Sequence, residues 1–199
     1  MALTGNGRTA DHAIDRQFLD RWSPRAFGAE AIPDETLMSI FEAARWAPSC
    51  FNAQPWRFVY ARRDTAHWPT LFNLLIPGNQ LWAQNASVLA VAVSKTILEI
   101  PGGDPVPAHS HSYDSGAAWM SLALQAHKLG WAAHGMMGFD VEKARVDLHV
   151  PDHHRVEAAL AIGRPAPADT LPEKLAAREI PSGRNPLADM ILEGGFPKS

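Results

Sequence analysis

The chain has little cysteine, no strong excess of charge and no long apolar run. Cys50 is the only cysteine among 199 residues, so an internal disulfide cannot form and a reducing compartment suits the chain. The net charge of -3 provides no broad basic field, which argues against nucleic acid and anionic membranes as partners. The longest apolar-rich tract, residues 116–139, is interrupted by Gln125, His127 and Lys128, so we predict no membrane span.

Several catalytic signatures are also absent from the sequence. There is no Gly-x-Ser-x-Gly elbow for a serine hydrolase, and no Gly-x-Gly-x-x-Gly follows a strand to bind a resident dinucleotide. His109 and His111 lie near Asp114, which keeps a metal-dependent hydrolase as a distant alternative. Because neither a His-Glu-x-x-His pair nor a cysteine cluster completes a tetrahedral shell, we predict no metal site.

The ends of the chain suggest where the protein works and how it is organised. Residues 1–20 mix acidic and basic side chains without an apolar core, so we expect no secretory signal and a soluble cytoplasmic protein. The 46% hydrophobic content predicts one globular domain, residues 1–199, in which about residues 165–199 form an extended C-terminal arm. The arm contains apolar side chains that need another surface, such as a second subunit, to become buried.

The spacing of apolar residues predicts both helices and strands. Apolar residues recur on one helical face between residues 33 and 47, and Pro48 ends that helix. The alanine-rich residues 113–129 predict a helix that is apolar nearly all round, which suits a core or a subunit interface. The other expectations are a helix containing Leu71, Leu74 and Leu75, a loop over 95–112, a short helix that Asp140 caps and that extends to about 149, and strands over 57–60, 87–93 and 156–162.

The segment from Arg21 to Arg25 is the first candidate for ligand binding. Arg21 and Arg25 flank Ser23, and Pro24 disfavours a helical conformation at Ser23, so the three side chains can face one concavity. Guanidinium groups match phosphate bidentately, and a serine hydroxyl adds a further hydrogen bond. The alternative is that these arginines pair with Asp20 or Glu30 at the surface.

The loop from Pro48 to Trp56 is the second candidate. Ser49, Asn52 and Gln54 offer groups that can hydrogen-bond the edge of a heterocycle, while the prolines keep the backbone out of regular structure. The same residue types are ordinary turn formers, so a plain turn that ends the preceding helix is the alternative.

Both segments occur in an order that is typical of a known family. They are Arg21-x-Ser23-x-Arg25 and Pro48-Ser49-x-x-Asn52-x-Gln54-Pro55-Trp56, followed by Gly78-Asn79-Gln80, Gly135-Met136-Met137-Gly138-Phe139-Asp140, Gly163-Arg164-Pro165 and Ser182-Gly183-Arg184-Asn185-Pro186-Leu187. On these residues the chain resembles the nitroreductase family of FMN-dependent oxidoreductases over nearly its whole length. The resemblance implies an α+β fold, with a mainly antiparallel central sheet surrounded by helices, and an intertwined homodimer with two equivalent flavin sites at its interface.

The resemblance also implies which residues contact bound FMN. Arg21, Ser23 and Arg25 are expected to hold the phosphate, ribityl chain and pyrimidine side, and Arg184 to complete the phosphate clamp. The other expected cofactor contacts are Pro48, Ser49, Cys50 and Asn52 from the second subunit, together with Asn79, Gly135, Met136, Met137, Gly163 and Arg164.

Two positions depart from the family pattern. Cys50 stands where the family often has a second serine. Trp82 stands where some members place a lysine near the flavin N1 side, and loss of that positive charge bears on the redox potential. We expect Trp82 and Trp119 to be walls of the substrate pocket.

The function implied by the resemblance is oxidoreduction with bound FMN and transient NAD(P)H. In a ping-pong cycle, hydride passes through the flavin N5 to a nitroaromatic, a quinone or a similar planar acceptor, and no side chain is expected to be catalytic. A flavin-binding or flavin-storing protein without physiological turnover is the alternative. The sequence does not distinguish NADH from NADPH, name the natural acceptor or decide whether Cys50 is redox-active.

Overall fold

The structure is a computed structural model that describes residues 6–196; residues 1–5 and 197–199 of the predicted domain lie outside the described residues. Its strands are β1 (Trp56–Arg62), β2 (Val88–Lys95), β3 (Ile97–Leu98), β4 (Val106–Pro107), β5 (Ala132–Met136) and β6 (His154–Gly163). The central sheet has the order β1-β2-β6-β5, and all its neighbouring strands are antiparallel. A separate hairpin pairs β3 with β4.

Helices cover this sheet, which gives the α+β architecture expected from the sequence. They are α1 (Gln17–Asp20), α2 (Asp34–Arg45), α3 (Trp68–Phe72), α4 (Pro77–Ala83), α5 (His111–Lys128), α6 (Val141–Asp147) and α7 (Glu173–Ala176). Among residues 6–196, no helix combines the length and the apolar character that a membrane crossing requires.

Strand β2 forms the middle of the core. Its side chains alternate between the two faces of the sheet, because successive residues of a strand point in opposite directions. Leu89 and Val91 join the core cluster on one face, and Val88 joins the cluster beneath α2 and α5 on the other. A strand that is buried on both faces has a continuous run of apolar residues in its sequence. The strand predicted over residues 87–93 is therefore confirmed.

The two longest helices pack against each other on one side of the sheet. Leu37 and Ile40 of α2 are fully buried in the same cluster as Ala118 and Leu122 of α5. The predicted helices over residues 33–47 and 113–129 are therefore confirmed, with small shifts at their ends. The predicted cap of α6 is also present, because the Asp140 carboxylate accepts a hydrogen bond of 2.8 Å from the backbone N–H of Lys143.

The structure departs from the expected elements in three places. Strand β5 was not predicted, and it is held by pairing with β6. The predicted loop over residues 95–112 contains the β3–β4 hairpin, and its last two residues already belong to α5. The helix expected around Leu71, Leu74 and Leu75 is divided into α3 and α4, because the backbone between them forms an isolated bridge to Phe139 through Leu75.

The C-terminal segment returns to the start of the chain. The Ala166 N–H donates to the Ala26 carbonyl at 2.9 Å, and Phe27 forms a bridge with Pro165. Farther along, Ile180, Met190, Ile191 and Phe196 are exposed. The segment therefore runs beside the Arg21–Arg25 region and leaves apolar side chains uncovered within the protomer.

Candidate functional site

Arginines from distant parts of the chain line one cavity of about 580 Å³. We call it the arginine cavity. It brings Arg21, Ser23 and Arg25 together with Arg184, as the sequence predicted. Its complete lining is Arg8, Arg21, Trp22, Ser23, Arg25, His134, Ala177, Arg178, Ile180, Pro181, Ser182, Gly183 and Arg184.

The end of α1 directs Arg21 into the cavity. The Arg21 N–H donates to the Gln17 carbonyl at 2.9 Å, and the backbone then turns to an extended conformation at Arg21. The Arg21 guanidinium reaches the Ser23 hydroxyl at 3.4 Å. Pro24 cannot continue a helix, so the segment stays extended and presents alternate side chains to one side.

The charge of the cavity is poorly balanced around Arg21. Burial lowers the pKa of Arg21, and the nearby guanidinium groups of Arg8 and Arg184 lower it further. The Arg21 Nε is buried and has no hydrogen-bond partner among residues 6–196. Because buried polar groups are normally satisfied, this unpaired donor within a cationic cluster indicates a site for an anion.

Arg8 was missed by sequence reasoning. Its Nη1 donates to the carbonyls of Leu19 and Arg21 at 3.0 and 2.9 Å, and its Nε donates to the Ser182 carbonyl at 2.9 Å. Arg8 thus ties the N-terminal segment to both arginine-bearing segments of the cavity. An isolated arginine in a polar stretch gave no signal of this role.

Arg25 is held differently from Arg21. The buried carboxylate of Glu179 accepts hydrogen bonds from the backbone N–H groups of Arg25 and Ala26, and it lies 3.6 Å from the Arg25 guanidinium. Glu179 therefore fixes the backbone of the segment and partly neutralises Arg25. Sequence reasoning also missed this residue.

The structure does not show the alternative in which Arg21 and Arg25 form surface ion pairs with Asp20 or Glu30. Asp20 pairs with Arg16 at 3.3 Å, and Glu30 pairs with Arg164 at 3.0 Å. Within the described part of the chain, neither acid is the ion-pair partner of Arg21 or Arg25.

Gly163 and Arg164 lie outside the lining of the arginine cavity. The Arg164 guanidinium contacts the Trp131 ring at 4.4 Å, in addition to its pair with Glu30. A Cβ on Gly163 would lie 2.7 Å from the Phe27 ring, so this glycine permits close packing of β6 against the segment that follows Arg25. These contacts give both residues a structural role in the protomer.

The loop from Pro48 to Trp56 is anchored at the start of α5. The buried carboxylate of Asp114 accepts from the Cys50 N–H at 3.2 Å and from the Ser110 hydroxyl at 2.8 Å. The Ser49 hydroxyl accepts from the Gln54 N–H at 3.0 Å. Sequence reasoning placed Asp114 at a helix start but missed that it holds this loop.

The same loop is strained and exposed. Phe51, Asn52 and Gln54 have positive φ angles of 52°, 54° and 47°, which are uncommon for residues other than glycine. Cys50 is exposed, and Phe51 is 85% exposed. The loop does not line the arginine cavity of its own protomer. Its expected contact with flavin from a second subunit therefore stays a prediction.

Asn79 and the turn after β5 form a second expected contact region. The Asn79 Nδ2 donates to the Gly138 carbonyl at 2.9 Å, and its Oδ1 accepts from the Trp82 indole at 3.3 Å. Met137 is 73% exposed, whereas Met136 is buried. The turn therefore presents its backbone and Met137 at the surface, while Asn79 is committed to holding the turn in place.

The two tryptophans expected in the substrate pocket have different surroundings. Trp82 is 1% exposed, and its ring centroid lies 6.0 Å from that of Phe27 and 4.7 Å from that of His134. This placement disagrees with the expectation that Trp82 is a wall of the substrate pocket, because its ring is buried in the core of the protomer. Trp119 is half-buried, and a Cβ on Gly135 would lie 3.3 Å from its ring.

The histidine cluster considered for metal binding has other partners. His111 Nδ1 lies 2.7 Å from the Ser94 hydroxyl, and that hydroxyl donates to Glu157. Asp114 holds the loop at Cys50. Within residues 6–196, no group of three or more His, Cys, Asp and Glu side chains is arranged to hold a metal ion.

Comparison with known proteins identifies the family. The family model described as Nitroreductase family matches residues 19–76. An NADH dehydrogenase of Thermus thermophilus is 30% identical over 87% of this chain and 92% of that relative. This chain belongs to the nitroreductase family. In Streptomyces coelicolor, the putative NADH dehydrogenase/NAD(P)H nitroreductase SCO7141 is 33% identical to this nitroreductase-family chain, over 62% of the chain and 68% of the relative.

Solved structures of the family agree with this fold. A crystal structure of an oxidoreductase containing FMN has a TM-score of 0.95 and 48% identity, and the match covers 98% of this chain and 99% of that one. A putative nitroreductase in complex with FMN from Desulfovibrio desulfuricans has a TM-score of 0.68 and 28% identity, with coverages of 92% and 96%. The nitroreductase-like fold predicted from the sequence is therefore confirmed.

Proposed function

We propose that this nitroreductase-family protein is a cytoplasmic FMN-dependent oxidoreductase. It transfers hydride from NAD(P)H to nitroaromatics, quinones or similar planar acceptors in a ping-pong cycle. The observation that carries the proposal is the arginine cavity, in which Arg21 keeps a buried and unpaired Nε beside other guanidinium groups. The FMN-containing relatives support the choice of ligand.

The residues of the cavity fit the phosphate of FMN. A phosphate offers three acceptor oxygens and about two negative charges near neutral pH. The unpaired Arg21 Nε can donate to it, and the Ser23 hydroxyl stands within reach of the same guanidinium. Arg184 lines the same cavity from the C-terminal segment and supplies further donors. An anion at this position would also relieve the repulsion between Arg21, Arg8 and Arg184.

Other residues would then position the ring system. We propose that Arg25, oriented by Glu179, faces the pyrimidine side. Gly135 and Met136, which end β5 rather than forming the turn expected from the sequence, and Met137 after them would offer backbone groups near the flavin N5 and O4. Pro48, Ser49, Cys50 and Asn52 would approach from a second copy of the chain, because their loop is absent from the lining of the protomer's own cavity.

The proposal includes a homodimer. Exposed apolar side chains in the protomer, including Phe51 on the loop and Phe196 on the arm, need a partner surface to become buried. A second copy would cover such side chains and bring its loop to the cavity.

No side chain is assigned as a catalyst. Bound FMN supplies the hydride chemistry through N5, so the protein contributes binding, orientation and control of access. Arg25 places a fixed positive charge near the proposed ring position, where it would stabilise negative charge. Trp119 lies beside Gly135 in β5, and exposed Met137 follows that strand, so both would shape the open face where NAD(P)H and acceptor bind in succession.

Colour and reduction test the proposal. The purified protein, after incubation with FMN and gel filtration, should remain yellow and elute as a dimer. Anaerobic NADH or NADPH should then bleach the flavin absorption, and a quinone or nitroaromatic should restore it. A colour that persists under excess NADH and NADPH would favour the flavin-storage alternative. A colourless protein after incubation with FMN would reject flavin binding.

A further inference from the structure

His134 is a titratable residue in the arginine cavity that no part of the proposed flavin chemistry uses. It lies in β5 opposite Ala161 of β6, and its side chain lines the cavity together with Arg21 and Arg25. Its ring packs on Trp82 with a centroid distance of 4.7 Å. The buried tryptophan therefore forms a rigid support that fixes where the imidazole stands.

One nitrogen of His134 is already committed. Nδ1 lies 2.9 Å from the backbone carbonyl of Pro24. A carbonyl only accepts hydrogen bonds, so this geometry assigns the proton to Nδ1. The protonation of the ring can then change only at Nε2. The same bond links His134 to the segment that carries Ser23 and Arg25.

The surroundings of His134 favour the neutral ring in the absence of an anion. Burial lowers the pKa of His134, and the positive charge of Arg25 also lowers it. The backbone carbonyl of Pro24 and the carboxylate of Glu179 act in the opposite direction, as does the backbone of Ser23. The net direction is downward from the ordinary value, so a proton at Nε2 is disfavoured.

We propose that His134 is a further binding residue of the arginine cavity, and that it takes up a proton at Nε2 when a phosphate-bearing ligand enters. The proton comes from solvent, and the Nδ1 hydrogen bond to Pro24 persists in both states. The physical reason is the charge of the ligand, because about two negative charges in the cavity would oppose the positive charge of Arg25 that disfavours protonated His134. This inference rests on the proposed function, since it requires FMN phosphate to occupy the cavity.

The proposal predicts a pH dependence of FMN binding with a definite sign. The His134 pKa is low without ligand and higher with ligand, so protonation strengthens binding. The additional binding free energy from protonated His134 is fully present below the pKa of the ligand-free protein. It is lost as pH rises through the higher pKa of the complex. Proton uptake on FMN binding should therefore be larger in a protein that has His134 than in a variant that lacks it.

The test uses two matched variants. In His134→Asn, the amide N–H₂ can still donate to the Pro24 carbonyl, but the side chain cannot titrate. The control is His154→Asn, because His154 Nδ1 also contacts a backbone carbonyl, that of Asp152 at 3.1 Å, yet His154 does not line the cavity. Dissociation constants of FMN would be measured from pH 6 to 8 by flavin fluorescence. Calorimetry in two buffers with different ionisation heats would count the protons exchanged.

The inference predicts a difference in slope between the variants. From pH 6 to 8, FMN affinity of the natural protein and of His154→Asn should fall more steeply than that of His134→Asn, by up to about tenfold for each pH unit over which one proton is linked to binding. The phosphate of FMN itself titrates near pH 6, but it contributes equally to all three proteins. Riboflavin, which lacks the phosphate, should show no such difference between them.

The outcomes separate this inference from the function on which it rests. Equal pH slopes and equal proton counts for the natural protein and His134→Asn, with tight FMN binding in both, would overturn the role of His134 and leave the flavin proposal intact. A His134 dependence that is as large for riboflavin as for FMN would also overturn it. Failure of the natural protein to bind FMN at any of these pH values would overturn both.

Discussion

Replacing Arg21 with alanine should weaken FMN binding without weakening the FMN-free fold. In the structure, the Arg21 guanidinium is half-buried beside Arg8 and Arg184, and its Nε lacks a partner among the described residues. Its guanidinium makes a long hydrogen bond of 3.4 Å with the Ser23 hydroxyl. The side chain therefore adds repulsion to the FMN-free protein and donors to the complex.

The expected magnitude follows from the hydrogen bonds that the phosphate would lose. A charge-assisted hydrogen bond contributes about 1.5–3 kcal/mol, so Arg21→Ala should raise the dissociation constant of FMN by about 10- to 150-fold. Loss of one cation from the cluster should leave the melting temperature of the FMN-free protein unchanged or higher. The variant would thus bind FMN more weakly although its FMN-free fold is no less stable, a combination that a purely structural arginine would not produce.

Fluorescence titration with FMN and thermal unfolding with and without FMN measure these effects. Arg16→Ala serves as the control, because Arg16 pairs with Asp20 at the surface and does not line the cavity. Arg25→Ala serves as a contrast, since it leaves the buried carboxylate of Glu179 without its ion-pair partner and should lower stability in both states. An FMN affinity of Arg21→Ala within twofold of the natural protein would refute the reasoning.

Three further substitutions test the assignments made to individual contacts. Asp114→Ala removes the acceptor for the Cys50 N–H and should speed amide hydrogen exchange over residues 49–54. Unchanged exchange would show that the carboxylate does not anchor the loop. Arg164→Ala should change FMN affinity by no more than about twofold, because Arg164 lies outside the arginine cavity and pairs with Glu30, whereas a larger loss in the fluorescence titration would support the predicted contact of Arg164 with the cofactor. Gly163→Ala should lower the free energy of unfolding, measured by urea denaturation, by about 1–3 kcal/mol, because the new methyl group meets the buried ring of Phe27. Unchanged stability would contradict this tight packing.

The sequence predicted the elements whose side chains follow a clear period. Helix α2 has an apolar face that recurs with helical spacing, and β2 is a continuous apolar run, so both were located. Strand β5 was missed because its sequence, Ala-Ala-His-Gly-Met, lacks the β-branched residues that mark strands. Its identity as a strand comes from pairing with β6, which a local pattern does not reveal.

The sequence predicted the residues of the candidate site that belong to recognisable motifs. Arg21, Ser23 and Arg25 lie close in sequence, and the order of motifs connected them to Arg184. Arg8 and His134 reach the cavity only through contacts between distant segments, and Glu179 supports Arg25 through another such contact. Side-chain exposure was equally hard to foresee, since Trp82 was expected to face substrate and instead supports His134 from the core.

The ratio of riboflavin to FMN dissociation constants tests the central claim most directly, because these two ligands differ only in the phosphate. The account predicts that the natural protein binds FMN far more tightly than riboflavin, and that this ratio falls by about 10- to 150-fold in Arg21→Ala. Equal affinities for the two ligands in the natural protein, or an unchanged ratio in the variant, would contradict the assignment of the arginine cavity to the FMN phosphate.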